Sequence, residues 1–370
     1  MAAATVTPAR ATPAESIVGY VFPQGATLQP GEIDPGKLTR INYAFANIEN
    51  GRVVQGFKTD AVNLAFLRGL KRQNPNLTIL ISIGGWLWST HFSDVALTAQ
   101  SRAVFIQSAV AFLKANDLDG IDIDWEYPGM AGAGHPLRAE DKQNFTLLLK
   151  DLRTALDGET AKTHRRLYLT IAAAASDEFL AHTEMGRAQR FLDTVNLMAY
   201  DYYEPDSDAM TGHHAPLFAS PGDPHKASAD ASVEAYEKAG VPAAKILLGV
   251  PFYGHAWAGV ADRKHGLYQP GKPAPGVDAS YQEIAATMLN HGYVRYWDAA
   301  ADAPYLYNAA KQIFVSYEDP ESLAAKCQYV KSHKLGGVMF WQYGNDPSEA
   351  LLKTIYDSLE SGVQTKEPQR

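Results

Sequence analysis

Residues 119–128 read DGIDIDWEYP, and within them Asp122, Asp124 and Glu126 alternate with Ile121, Ile123 and Trp125. A period of two marks a β-strand whose successive side chains point to opposite faces. One face carries three carboxyls; the other carries two β-branched residues and an indole. Carboxylates are costly on an otherwise buried strand. Same-face neighbours stand about 6–7 Å apart, and like charges at that spacing raise one another's pKa. One carboxyl can then stay protonated near neutral pH beside an ionised one, the pairing that acid–base chemistry at a sugar acetal requires. A calcium or magnesium site is the chemical rival. An EF-hand loop, however, needs a mid-loop glycine and a closing glutamate, whereas this run is extended and interleaved with large apolar residues. Neither a metal nor a cofactor is expected.

Working outward, β-rich runs recur at Ile17–Val21, Arg40–Phe45, Thr78–Ile83, Leu167–Ala172, Thr194–Tyr200, Lys245–Val250 and Gly337–Trp341. Amphipathic helices lie between several of them. SRAVFIQSAVAFLKAN places Phe105, Ala109, Phe112 and Leu113 on one side; KQNFTLLLKDLRTAL does the same with Phe145, Leu148, Leu149, Leu152 and Leu156. With the acidic strand these make eight βα-type units, which predicts a closed (β/α)8 TIM barrel. The interval from Val250 to Gly337 is too long for one such unit. It holds a helical SYQEIAATML and the aromatic strands GYVRYWD, APYLYN and KQIFVSYED. This predicts a small α+β insertion between strands seven and eight. The expected division is a disordered lead at 1–15, the barrel at 16–256 and 318–361, the insertion at 257–317 and a disordered tail at 362–370. In such a barrel chemistry sits at the C-terminal strand ends. Asp122, Asp124, Glu126, Ser82, Met198, Tyr200, Asp201, Tyr253 and Trp341 all fall at or just past such ends.

The 370 residues are 46% hydrophobic and 20% charged, enough to bury a full core. A net charge of −8 argues against a nucleic-acid partner. No stretch approaches the length of a membrane span, so no membrane partner is expected. The single cysteine, Cys327, permits neither an internal disulfide nor a structural zinc site. The first fifteen residues lack the charged start and apolar core of a signal peptide.

The acidic run resembles the DxxDxDxE signature of the family 18 glycoside hydrolases, the chitinases, through Asp119, Asp122, Asp124 and Glu126. ISIGGW (81–86) resembles that family's SxGG motif and LMAYD (197–201) its MxYD motif. GVPFYGHAW (249–257) is similar to the strand-seven motif of the branch with an inserted α+β domain, and VMFWQYGND (338–346) to its last strand. The resemblance runs from Ile17 to about Leu359.

It implies a secreted, extracellular chitinase acting as a monomer on chitin and chitooligosaccharides, by a retaining, substrate-assisted mechanism. Glu126 would be the general acid and base. Asp124 would position the 2-acetamido group and share a proton with Asp122, itself tied to Ser82 and Tyr20. Tyr200 would hydrogen-bond the acetamido carbonyl. Met198 and Asp201 would line the same subsite, and Trp341 would floor it. Phe45, Tyr127, Tyr253 and His255 join the expected substrate-binding set, with Trp86, Trp88 and Trp257 as sugar-stacking platforms. Asp119 is read as structural. The alternatives are an endo-β-N-acetylglucosaminidase on glycans or peptidoglycan, and a non-catalytic chitin-binding lectin. Intact Glu126 argues against the lectin, and the insertion, as a wall for a polymer cleft, argues for the chitinase. One departure stands out: the motif that often reads YGR is here Tyr253-Gly254-His255. A permanently charged bidentate donor gives way to an imidazole. The contact to substrate or to Asp201 is therefore open, and an altered pH profile is the expected consequence. His213 and His214 are adjacent, but no spaced third ligand accompanies them, so they are read as structural or substrate-loop residues.

Overall fold

The acidic strand lies in a sheet that closes on itself. In the computed structural model, residues 15–360 are described, apart from His135 and Asp278. In chain order the strands are β1 (Ser16–Val21), β2 (Arg40–Glu49), β3 (Arg52–Gln55), β4 (Thr78–Gly84), β5 (Gly120–Asp124), β6 (Tyr168–Ala174), β7 (Thr194–Met198) and β8 (Ile246–Pro251). A second group follows: β9 (His255–Ala258), β10 (Lys272–Pro273), β11 (Val294–Asp298), β12 (Ala303–Asn308) and β13 (Ile313–Ser316). The chain then returns through β14 (Gly337–Trp341). The first sheet runs β1-β14-β8-β7-β6-β5-β4-β2-β3, and β1 also pairs with β2. Every pairing around this ring is parallel, so eight strands form a closed (β/α)8 barrel. β3 is an antiparallel extension of β2 outside the ring.

The second sheet is antiparallel throughout, in the order β10-β9-β13-β12-β11. It opens at His255, so the expected boundary at 256/257 falls inside a strand, and His255 and Ala256 belong to this sheet. The segment read as a helix is one α-turn, Tyr281–Glu283, continued by a π-turn, Ile284–Met288. The expected disordered lead and tail lie outside the described residues, except for Glu15.

The alternation in β5 sorts its side chains. Ile121, Ile123 and Trp125 join the apolar layer between barrel and helices. There Trp125 stacks on Phe92 at 5.4 Å and meets Phe145 edge-on at 5.9 Å. The helices at Ala99–Ala115 and Asp141–Thr163 bury the stripes that their periodicity predicts, through Phe105, Ala109 and Leu113 and through Phe145, Leu148, Leu152 and Leu156. Each such apolar side chain contributes about 1.5–3 kcal/mol on burial. Phe112 is only partly buried at the edge of its stripe. Inside the ring a separate cluster of Val18, Tyr20, Ala44, Phe45, Leu247 and Met339 packs against Phe22, Trp88, Met198, Tyr200 and Trp341. This inner cluster is the floor on which the candidate site rests.

Candidate active site

Asp122 is fully buried and accepts hydrogen bonds from four side chains on four other strands. Tyr20 (2.9 Å) and Ser82 (2.8 Å) donate to one carboxylate oxygen; Thr170 and Asn196 (3.1 Å) donate to the other. Asn196 also donates to the Tyr20 hydroxyl at 3.0 Å. Burial pushes the Asp122 pKa up, while Thr170, Ser82, Tyr20 and the charge of buried Arg40 pull it back. The sequence reading named Tyr20 and Ser82. It missed Thr170 and Asn196, which sit on β6 and β7, the neighbouring ring positions that face the same lumen.

Asp124 has the opposite environment. It too is buried, but its Oδ1 has no hydrogen-bond partner. Burial raises its pKa well above the ordinary carboxyl value, and the charges of Glu126 and Asp122 raise it further. The four donors favour the ionised form of Asp122. Of the two carboxyls, Asp124 therefore keeps the proton. Glu126, just past the end of β5, is raised to about 7, chiefly by burial, with further lifts from Asp201 and Glu204 and an opposing hydrogen bond with Tyr127.

The turn after β4 fixes the backbone here. The Gly85 amide donates to the Asp124 carbonyl at 2.8 Å. Gly84 has φ +108°, and a Cβ there would lie 2.3 Å from that same carbonyl. Only glycine fits. Ser89 donates to the Asp124 carbonyl (3.0 Å) and accepts from the Glu126 amide (2.9 Å). Ser89 carried no motif signal, and it is the residue that joins the glycine turn to the acid.

Opposite these carboxyls lie the residues after β7. Tyr200 packs edge-on to Tyr253 at 6.1 Å. Its phenol is raised well above the usual value by burial and by the charges of Asp201, Asp124 and Glu126. Asp201 takes a left-handed conformation, φ +60°. Its Oδ1 accepts from the Tyr253 hydroxyl at 2.7 Å and lies 2.8 Å from His255 Nε2 and 3.6 Å from His214 Nδ1. Burial acts to raise the Asp201 pKa, but His214 and His255 beside it hold the carboxyl well below the usual range. Burial pushes His214 down to about 4 against the pull of Asp201. The open question at His255 has a structural answer: the ring contacts Asp201.

Trp341 stacks on Phe45 (5.5 Å, 22° between planes), with Tyr20 and Phe22 at 5.8 and 5.6 Å. Met198 and Tyr200 close this box. Trp86 is 51% exposed and lies 6.4 Å from Tyr127, so a flat face is open at the rim. Trp257 corrects the expectation made for it. It has no exposed surface, packs among Tyr203, Val260, Leu267, Tyr305, Tyr307 and Phe314, and donates its indole N–H to the Asp208 carbonyl at 3.2 Å. A ring enclosed on both faces cannot stack on a sugar. His213 is also accounted for: its Nε2 lies 3.2 Å from Asp298, tying its loop to β11. Asp119 accepts from the Ile79 amide and pairs with Lys71 and Arg165 at the opposite end of β5 from Glu126.

A closed barrel with a carboxyl trio at the C-terminal rim of one strand belongs, as a class, with the barrel glycosidases. The chain matches the model of the glycosyl hydrolases family 18 over residues 16–346 and belongs to that family. It is 38% identical to Chitinase A1 of Niallia circulans, a match covering 96% of this chain but 60% of that protein's length. Among solved structures, it superposes on a family 18 N-acetylglucosaminidase from Paenibacillus barengoltzii with a TM-score of 0.85 and 42% identity, covering 93% of this chain and 99% of the other. It also superposes on human YKL-39, described as a pseudo-chitinase with retained chitooligosaccharide-binding properties (TM-score 0.84, 26% identity, 94% of this chain and 100% of the other). Among the described residues no helix is long and apolar enough to cross a membrane.

Proposed function

We propose that this chain is a chitinase that hydrolyses β-1,4-linked N-acetylglucosamine polymers with net retention. The observation that carries the reading is Glu126, a carboxyl raised to about 7 beside a buried carboxyl pair. Near neutral pH such a group can donate a proton. Family 18 enzymes depart from the two-carboxylate scheme: the substrate's own acetamide oxygen attacks. Glu126 protonates the glycosidic oxygen. The acetamide oxygen closes on C1 to give an oxazolinium ion. Asp124 passes its proton to Asp122 as the ion forms; its carboxylate then accepts from the acetamide N–H and stabilises the developing positive charge. Tyr200 donates to the acetamide carbonyl oxygen and aims it at C1. Trp341, Phe45, Met198 and Tyr20 shape the floor; Trp86, Tyr127, Asp201, Tyr253 and His255 line the approach. Glu126, now a carboxylate, then takes a proton from the water that opens the ring.

The antiparallel sheet from β9 to β13 serves as a wall that deepens the cleft for a polymer. The protein acts outside the cell, as a monomer, on chitin and its oligomers. A second reading is favoured by one finding, the similarity to an N-acetylglucosaminidase. Product lengths over time from a defined chitin hexamer separate the two. Dimers and trimers from internal cleavage support the chitinase; release of monosaccharide alone from the first time point supports the other.

A further inference from the structure

We propose that Asp201, His214 and His255 form a binding site for a zinc-like divalent transition-metal ion in the wall of the substrate cleft. The sequence offered His214 only its neighbour His213. The fold instead brings to it a carboxylate from the loop after β7 and an imidazole from β9. One ligand atom from each of the three lies within 4.8 Å of the others. Zinc–nitrogen and zinc–oxygen bonds of about 2.0–2.2 Å place donors around a tetrahedral ion roughly 3.3 Å apart. The observed separations from Asp201 Oδ1, 2.8 Å to His255 Nε2 and 3.6 Å to His214 Nδ1, straddle that value. A shift of about half an ångström of the His255 ring opens the shorter one.

An independent observation is the state of His214. It has no exposed surface; its Nδ1 stands 3.6 Å from Asp201 Oδ1, just beyond hydrogen-bond reach, and its Nε2 has no hydrogen-bond partner. A buried imidazole left in that condition is costly. The ring is also held in place: the His214 amide donates to Ser316 Oγ at 2.9 Å, and the ring packs edge-on against His255 at 4.9 Å. A metal ion taking Nδ1 gives that nitrogen the close partner it lacks.

Donor chemistry selects the ion. Two imidazoles with one carboxylate suit zinc, copper or nickel, whereas calcium and magnesium prefer oxygen shells. Glu204, Asp206 and Asp208 follow on the same loop and add negative charge at the approach. Asp201 is exposed, and His255 lines a pocket of about 350 Å³ with Tyr253, Asp206 and Asn345, so the ion can approach from the side of these two ligands. Water can therefore complete the coordination. An arginine at 255 could not serve as a ligand, so the departure from YGR is what makes the site.

Occupancy takes Asp201 away from the Tyr253 hydroxyl and places a cation at the cleft wall. Zinc then inhibits hydrolysis, a consequence that rests on the function proposed above; binding itself does not. The test is titration of the purified protein with Co²⁺, read by visible absorption, and with zinc chloride, read by calorimetry. One equivalent binds per chain, with tetrahedral-type cobalt bands. His255→Arg and His214→Asn each weaken zinc by about tenfold or more. Should His214→Asn fail to fold, His255→Arg decides alone, since that ring is partly exposed on the cleft side. Zinc inhibits chitin-oligomer hydrolysis at the same one equivalent, and EDTA restores the rate. Absence of saturable binding, or unchanged affinity in His255→Arg, overturns the proposal. Stoichiometric binding by a chain that cleaves no chitin oligomer would sustain the site and overturn the function instead.

Discussion

Glu126 and Asp119 lie in one short run, yet their surroundings differ, and the roles proposed for them differ accordingly. With its pKa raised to about 7, Glu126 holds a proton through the mildly acidic range and loses it above. A general acid must be protonated to act, so kcat should fall as pH rises through about 7. Glu126→Gln should lower kcat by about 10²–10⁴-fold, more where the neighbouring groups act with it as a unit, while chitin-oligomer binding persists. A variant retaining a tenth of the activity would sink the assignment. Stability gives a second reading of the same group. The unfolded carboxyl titrates near about 4.3. Its contribution to folding is complete below that pH and is lost as pH climbs to about 7, because the folded state binds the proton longer. Glu126→Gln should thus raise the melting temperature relative to the parent more at about pH 8 than at about pH 5. Asp124→Asn should also abolish most activity, since an amide cannot balance a cationic intermediate. Asp119→Asn weakens pairs with Lys71 and Arg165 and should instead cost about 1–3 kcal/mol of stability, with kcat little changed. Equal kcat losses at the two positions with unchanged melting temperatures would contradict this division.

Among the elements, those with a strong period were legible and those defined by partners were not. β5 announced itself because three carboxyls alternate with three large apolar groups. The helix read over 101–116 spans 99–115, whereas the one read over 142–156 runs on to Thr163, because its last two turns, DGETAKT, carry no apolar stripe. β3 and β10 are short, and β10 has only two residues, too few for any period to register. Trp257 was misread for a related reason. An indole looks the same in sequence whether it faces a sugar or a core. What encloses it is Phe314 and Tyr307, paired through β13 and β12 more than forty residues later. Trp257→Ala should accordingly cost about 3–5 kcal/mol of folding free energy, read as a lowered denaturant midpoint. A loss confined to KM for long oligomers, at unchanged midpoint, would return Trp257 to the cleft.

Across the whole molecule, barrel closure assembles a site that no single stretch of chain contains. The carboxyls were legible from one segment, whereas the donors that hold Asp122 come from four strands. Thr170 and Asn196 reach Asp122 only because β6 and β7 follow β5 around the ring, and His214 reaches Asp201 only through a loop pinned to β13. The assembled site has one buried carboxyl held by four donors, another with its Oδ1 lacking a hydrogen-bond partner, and an acid at the rim. The proposed chemistry gives none of them the role of nucleophile. If the nucleophile belongs to the substrate, catalysis must depend on an acetyl group in the sugar at the cleaved bond. Chitosan without acetyl groups and cellulose, with a hydroxyl at that carbon, offer nothing to close on C1. Their rates should be near background even where the aromatic floor binds them. A stable thiazoline that mimics the cyclised intermediate should inhibit far more tightly than the free sugar, as ligands resembling a transition state do. Closure and reopening each invert C1, so the first product should be the β-anomer. NMR of early product, with rates on partly acetylated chitosan, reads both outcomes. Initial release of the α-anomer, or brisk cleavage between two deacetylated sugars, would require a protein group or a water molecule as the nucleophile, and the substrate-assisted mechanism would fall.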